Sequence, residues 1–164
     1  MSTESLEKIL VRDLVTLREE LRAYRDEHDL WVCPDGIVNS TGTLVLHLTG
    51  NVMHYIGAVL GKTEYVRDRA AEFEDRNIPR IELEVRIGGA IEAVRRGMGT
   101  LDDGDMEAEY PLEVGGQRLS TEFLLTHLAA HLAYHLGQVD YHRRVVTGQK
   151  EGVGAQSIAA LADG

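Results

Sequence analysis

Apolar residues recur every three or four positions in four stretches of the chain, and each stretch predicts an amphipathic helix. The first spans about Ser5 to His28, with Leu6, Leu10, Leu14, Leu17, Leu21 and Tyr24 on one side and charges on the other. The segment Trp31-Val32-Cys33-Pro34-Asp35-Gly36 then reads as a loop, anchored by Trp31, because Pro and Gly punctuate it. A second helix begins near Ser40 or Thr41, both good N-caps, and stops at Gly61; Leu44, Leu48, Val52, Tyr55 and Val59 form its apolar stripe. A third runs from about Pro79 to Gly97 or Gly99, with Leu83, Ile87, Ile91, Val94 and Met98 inward. Gly88-Gly89 interrupts it, at about 1 kcal/mol per glycine relative to alanine, a cost that close approach of a neighbouring backbone would explain. The last helix runs from about Ser120 to Val146 and ends at Gly148.

The connections are less regular. Thr63 to Ile78 is charged and fits either a short helix or an extended crossover, and Glu107 to Leu119 alternates weakly around Gly115-Gly116, as a small hairpin or a long loop would. Four amphipathic helices with little strand signal predict an all-α four-helix bundle with a long connection between its second and third helices. The whole chain, 1–164, reads as one domain, with an ordered core at about 4–148 and a loosely ordered tail at 149–164.

Charge narrows the partners. Seventeen basic against 27 acidic residues leave a formal net charge of -10. Such a surface repels nucleic-acid backbones and anionic membranes. Cys33 is the sole cysteine, so no intrachain disulfide can form, which fits a reducing compartment. The N-terminus lacks the apolar core of a signal peptide, and no apolar run approaches the ~20 residues of a membrane span. These features predict a soluble, cytoplasmic protein.

Histidine placement carries the chemistry. The last helix holds His127, His131, His135 and His142, and the second holds His47 and His54. Histidines four apart lie one turn apart on one face, so both rings can reach a single ion. The apolar stripe Leu124, Leu128, Leu132, Val139, Val146 centres near His135; at about 100° per residue, His131 lies roughly 40° from it and His127 roughly 80°. His131 and His135 therefore form the inward pair. A third ligand must come from another helix, and His47, which flanks the stripe of the second helix, leads. The pair lacks the glutamate of HExxH, so a zincin-type protease is not supported.

At Asn39-Ser40 leading into Leu44-Val45-Leu46-His47-Leu48-Thr49-Gly50-Asn51, Arg67-Asp68-Arg69 with Glu72-Phe73, and above all His131-Leu132-Ala133-Tyr134-His135-Leu136-Gly137-Gln138, the chain resembles the DinB/YfiT-like superfamily of metal-binding four-helix bundles, within a branch of unknown function. The resemblance covers about residues 30–148 and implies metal ligands at His47, His131 and His135, a crossover between the second and third helices, and a homodimer. Asn51, His54, His127 and Gln138 are then candidates for supporting the ligands or touching a small-molecule substrate. Arg67, Asp68, Arg69 and Glu72 read as an ion-paired, solvent-facing run.

Three neutral imidazoles leave a metal at least one open position, the pattern of catalytic rather than structural zinc. An all-imidazole set favours zinc, nickel or copper over magnesium or calcium and does not discriminate among zinc, nickel and iron. Relatives implied by the resemblance use a low-molecular-weight thiol as cofactor, so a thiol-dependent S-transferase acting on a small electrophile is the leading expectation. A metal-dependent hydrolase, with His54, His127 or Glu122 as base, and a non-catalytic metal-binding stress protein remain the alternatives.

Overall fold

The computed structural model describes residues 2–154, which are all-helical, with no β-strand among them. Six α-helices follow in order: α1 (Thr3–Arg22), α2 (Thr41–Val52), α3 (Arg69–Glu74), α4 (Arg80–Met98), α5 (Asp103–Glu107) and α6 (Thr121–Thr147). The α2 helix continues as a π-helical extension, Met53–Leu60, and His28–Trp31 form a single 3-10 turn. Local chemistry sets the ends. The hydroxyls of Ser40 and Ser120 accept the Thr43 and Phe123 amides and so start α2 and α6. Gly148, at φ 69, closes α6 in the left-handed conformation that glycine adopts without strain.

Two elements differ from the periodicity. The first helix stops at Arg22 rather than His28, because the Asp26 carboxylate accepts the His28 amide and starts a new turn. Tyr24, the last residue of the apolar stripe, is nonetheless buried. The stretch before α6 forms only isolated bridges, Glu109 with Ser120 and Val114 with Gln117, around Gly115 and Gly116, which both have positive φ. It is a looped turn, preceded by α5, whose capping box of Asp102 and Asp105 was unanticipated. The tail residues 155–164 lie outside the described residues; Gln149 and Glu151, expected to be loose, are held by Arg143.

The four long helices pack side by side around one core, consistent with a four-helix bundle. Each of α1 and α2 touches both α4 and α6. The Tyr24 hydroxyl meets Thr41 at the start of α2, and Arg80 at the start of α4 donates to the Tyr24 carbonyl, so both helices begin where α1 ends. At the far end Gly57 lies against Ala93, and Gly61 against Gly97. So α2 and α4 run parallel, and residues 62–79 carry the chain back along the outside of α2, with an extended stretch and then α3.

Close approach of backbones occurs, but not at Gly88-Gly89, where an added methyl group would meet only the Met53 side chain or open space. It occurs at Gly97, whose missing side chain admits the Ile56 carbonyl at 2.5 Å from a built Cβ, and at Gly57 against Ala93. Trp31 packs in the same way over Gly42, whereas Cys33 is exposed rather than packed.

Every residue from Thr41 to Val52 is buried, because α4, α6 and the returning α3 segment enclose α2. Thr41–Leu60 therefore has the length and mean hydropathy of a membrane span, 1.3, with 72% of that window buried inside the protein. The sequence reading underweighted this run because His47, Asn51 and His54 interrupt it.

Candidate metal centre

The antiparallel faces of α2 and α6 bring His47, His131 and His135 together. Burial defines their setting: His47 is buried, and the other two are half-buried. His47 Nε2 and His131 Nε2 stand 3.3 Å apart. The His135 ring closes the group, its centroid 4.6 Å from that of His131 and 5.5 Å from that of His47. One ligand atom from each of the three lies within 4.8 Å of the others, and among the described residues no fourth His, Cys, Asp or Glu joins them.

That geometry suits a metal. Metal–nitrogen bonds of about 2.0–2.1 Å in a tetrahedron separate the nitrogens by roughly 3.3–3.4 Å. The His47–His131 pair already has this separation, and the three-histidine cluster could hold a metal ion.

Hydrogen bonds on the outer side of two rings fix which nitrogen faces inward. The His47 Nδ1–H donates to Glu72 Oε2 at 3.0 Å, and the His135 Nδ1–H donates to Gln138 Oε1 at 2.7 Å. Each acceptor holds its ring in the tautomer that leaves the Nε2 lone pair free, the usual way a ligating histidine is oriented. Burial, followed by the neighbouring His135, His47, His127 and Arg67 charges, pushes His131 down to about 4. Burial also lowers His47, against the opposing pull of Glu72. Burial thus favours the neutral form of both rings, the form a metal ligand needs.

Glu72 is held from the other side by Arg67, whose Nε and Nη2 donate to its two oxygens at 2.6 and 2.8 Å. Both side chains are buried or nearly so. The carboxylate lies directly against Gly50, where any side chain would occupy its place. Phe73 covers the His47 ring at 5.0 Å between centroids, and the Arg67 guanidinium sits 5.7 Å above the Tyr55 ring.

The pair Arg67–Glu72 corrects the sequence reading. The segment is ion-paired as expected, but Glu72 faces the cluster rather than solvent. One signal could have exposed it: Gly50 in the middle of an apolar helix, where glycine costs stability unless something needs its space.

The remaining candidates divide. Gln138 touches His135 directly. Asn51 lies one turn beyond His47, buried, with Oδ1 lacking a partner. His127 is exposed and stacks on His131 at 6.1 Å. His54 packs edge-on to Tyr55 at 4.8 Å and stands outside the ligand group. Glu122 sits in the first turn of α6, more than two turns from His131. His142 belongs to the core: it lies 2.6 Å from the Tyr24 hydroxyl and donates to the Val32 carbonyl at 2.8 Å.

Fold and site together define an all-helical protein with a three-histidine cluster able to hold a metal ion. The chain belongs to the family described as Protein of unknown function (DUF1572), whose model matches residues 6–154 and so spans the three histidines, Arg67 and Glu72. No curated protein and no solved structure matches it.

Proposed function

We propose that this protein is a DinB/YfiT-type four-helix bundle and a metal-dependent enzyme, in which His47, His131 and His135 bind zinc or nickel and a low-molecular-weight thiol is transferred to a small electrophile. The observation that carries this reading is the convergence of three imidazole donors with no fourth protein ligand among the described residues. Structural zinc sites fill all four positions with protein ligands, whereas catalytic sites leave one open. When bound, the ion supplies a Lewis acid that lowers the pKa of a thiol.

The chain's own residues do the rest. Glu72 and Gln138 hold the Nδ1 protons of His47 and His135 and keep both rings aimed inward. Arg67 fixes Glu72 and balances its charge. Burial keeps His131 unprotonated. In the overall transfer the thiol gives up its proton, a carbon–sulfur bond forms at the electrophile, and the leaving group departs with its electron pair.

Elemental analysis of protein purified without added metal or chelator tests the first half; close to one zinc or nickel per chain is expected. Incubating the loaded protein with a thiol and 1-chloro-2,4-dinitrobenzene tests the second, read as thioether formation above that of chelated protein. Protein that neither carries nor takes up zinc or nickel refutes the metal reading. Loaded protein that forms no thioether with any of several thiols refutes the transfer.

A further inference from the structure

A cavity lies between the 36–39 loop, Leu44 on α2 and the C-terminal half of α6, beside Gln138, the partner of His135. Its volume is about 390 Å³, and Ile37, Val38, Leu44, Tyr141 and Val145 supply most of its wall. This falls within the roughly 300–1,000 Å³ of small-molecule sites. Two of its walls are shared with the cluster. Leu44 precedes His47 by one turn, and Gln138 is the residue whose Oε1 holds His135.

The surface leading from the cluster to this cavity is uncharged and largely apolar, interrupted by the Gln138 amide. Tyr134, which meets the His135 ring at 5.1 Å, Gln138, Tyr141 and Val145 follow at intervals of four, three and four residues, so they form one stripe along α6. Tyr134, Tyr141, Val145, Ile37 and Val38 are all solvent-exposed, a concentration of apolar surface that marks binding sites. Among the described residues no acid, lysine or arginine lines the cavity, on a chain of net charge -10. The one histidine in its wall, His142, already has both nitrogens engaged. The polar side chains left in its wall, Asn39, Gln138 and Tyr141, are uncharged.

We infer that this cavity binds the uncharged hydrocarbon portion, alkyl or aryl, of the molecule that reaches the three-histidine centre, and so selects apolar substrates. This rests on the metal reading proposed above. Leu44, Tyr141 and Val145 are specificity-determining residues, and the ligand spans about one helical turn between Gln138 and the cluster.

Cobalt-substituted protein titrated with n-alkanethiols of two to six carbons tests it, the thiolate-to-cobalt charge-transfer band reporting affinity. Each added methylene is expected to tighten binding about three- to fourfold, so hexanethiol should exceed ethanethiol on the order of a hundredfold. In Val145→Asp and Val38→Asp, both at exposed positions, that ratio should fall below about tenfold. A charge-transfer band whose affinity ignores chain length overturns the cavity assignment alone. The absence of a band with every thiol overturns the metal reading and this inference with it. Light scattering on the same samples settles the competing occupant: a dimer that Val145→Asp splits into monomers means that a second copy covers the cavity, and the inference fails.

Discussion

The Glu72 carboxylate stands 3.0 Å from His47 Nδ1 and can reach it because Gly50 has no side chain. A residue from the returning segment thereby sets the orientation of a ring on α2, and a bare helix position admits it. Outer carboxylates of this kind typically change metal affinity by about 10- to 100-fold when removed. Glu72→Gln should weaken zinc binding by roughly tenfold or more, and Gly50→Ala should act in the same direction by displacing the carboxylate. Competition against a chromophoric chelator measures both; wild-type affinity in the two variants would show that Glu72 serves only to pair Arg67.

The three proposed ligands should be separable from their neighbours. His47→Ala, His131→Ala and His135→Ala are each expected to lose most of the bound metal, whereas His127→Ala and His142→Ala should keep it. Metal content per chain after dialysis is the readout. Loss of metal in His127→Ala equal to that in His131→Ala would reassign the pair on α6.

Arg143 is fully buried, and its Nε donates to Glu20 Oε2 at 2.5 Å, joining α6 to α1. The same guanidinium donates to Gln149, Asp140 and the Glu151 carbonyl. Removing one partner of a buried ion pair strands the other charge, at about 3–5 kcal/mol. Glu20→Ala should therefore lower the urea midpoint far more than Glu19→Ala, whose contacts are exposed. Equal midpoints would mean that Gln149 and Asp140 compensate fully for Glu20.

Acid should destabilise the metal-free protein before its carboxylates titrate. Burial lowers the His142 pKa from 6.5, outweighing the bond to Val32 that raises it. The unfolded chain then takes up the proton first, so the stability tied to neutral His142 is complete above about pH 6.5 and is lost as pH falls toward the lowered folded value. His47, His54 and His131 shift in the same direction and add to the slope. Urea midpoints measured in chelator should fall between pH 7 and 5. His142→Gln should reduce the midpoint at pH 7 and flatten part of that fall; an unchanged slope would remove His142 from the account.

The helices were legible because periodicity and capping agreed: Ser40, Pro79, Ser120, Gly99 and Gly148 stand where α2, α4 and α6 begin and end. The pairing of His131 with His135 was legible from angles around a single helix, and His47 from its place beside the α2 stripe and from the family resemblance. Glu72 was not. It lies 25 residues from His47, in a segment whose composition is that of a solvated surface, and pattern arguments cannot say which of several charges a crossover turns inward. The cavity beside Gln138 was hidden for a related reason. Its walls come from α2, α6 and the 36–39 loop, and loop positions carry no periodic signal.

The π-helical extension has one more consequence. An α-turn accommodates 3.6 residues, and a π-turn holds about one more, so the stretch Met53–Leu60 shifts the angular phase of everything after it. Before the shift, His47 is directed at α6; after it, Gly57 and Gly61 are directed at α4. One continuous rod thus serves two neighbours: its first half carries His47 toward α6 while also packing on α4, and its second half makes the close glycine contacts with α4.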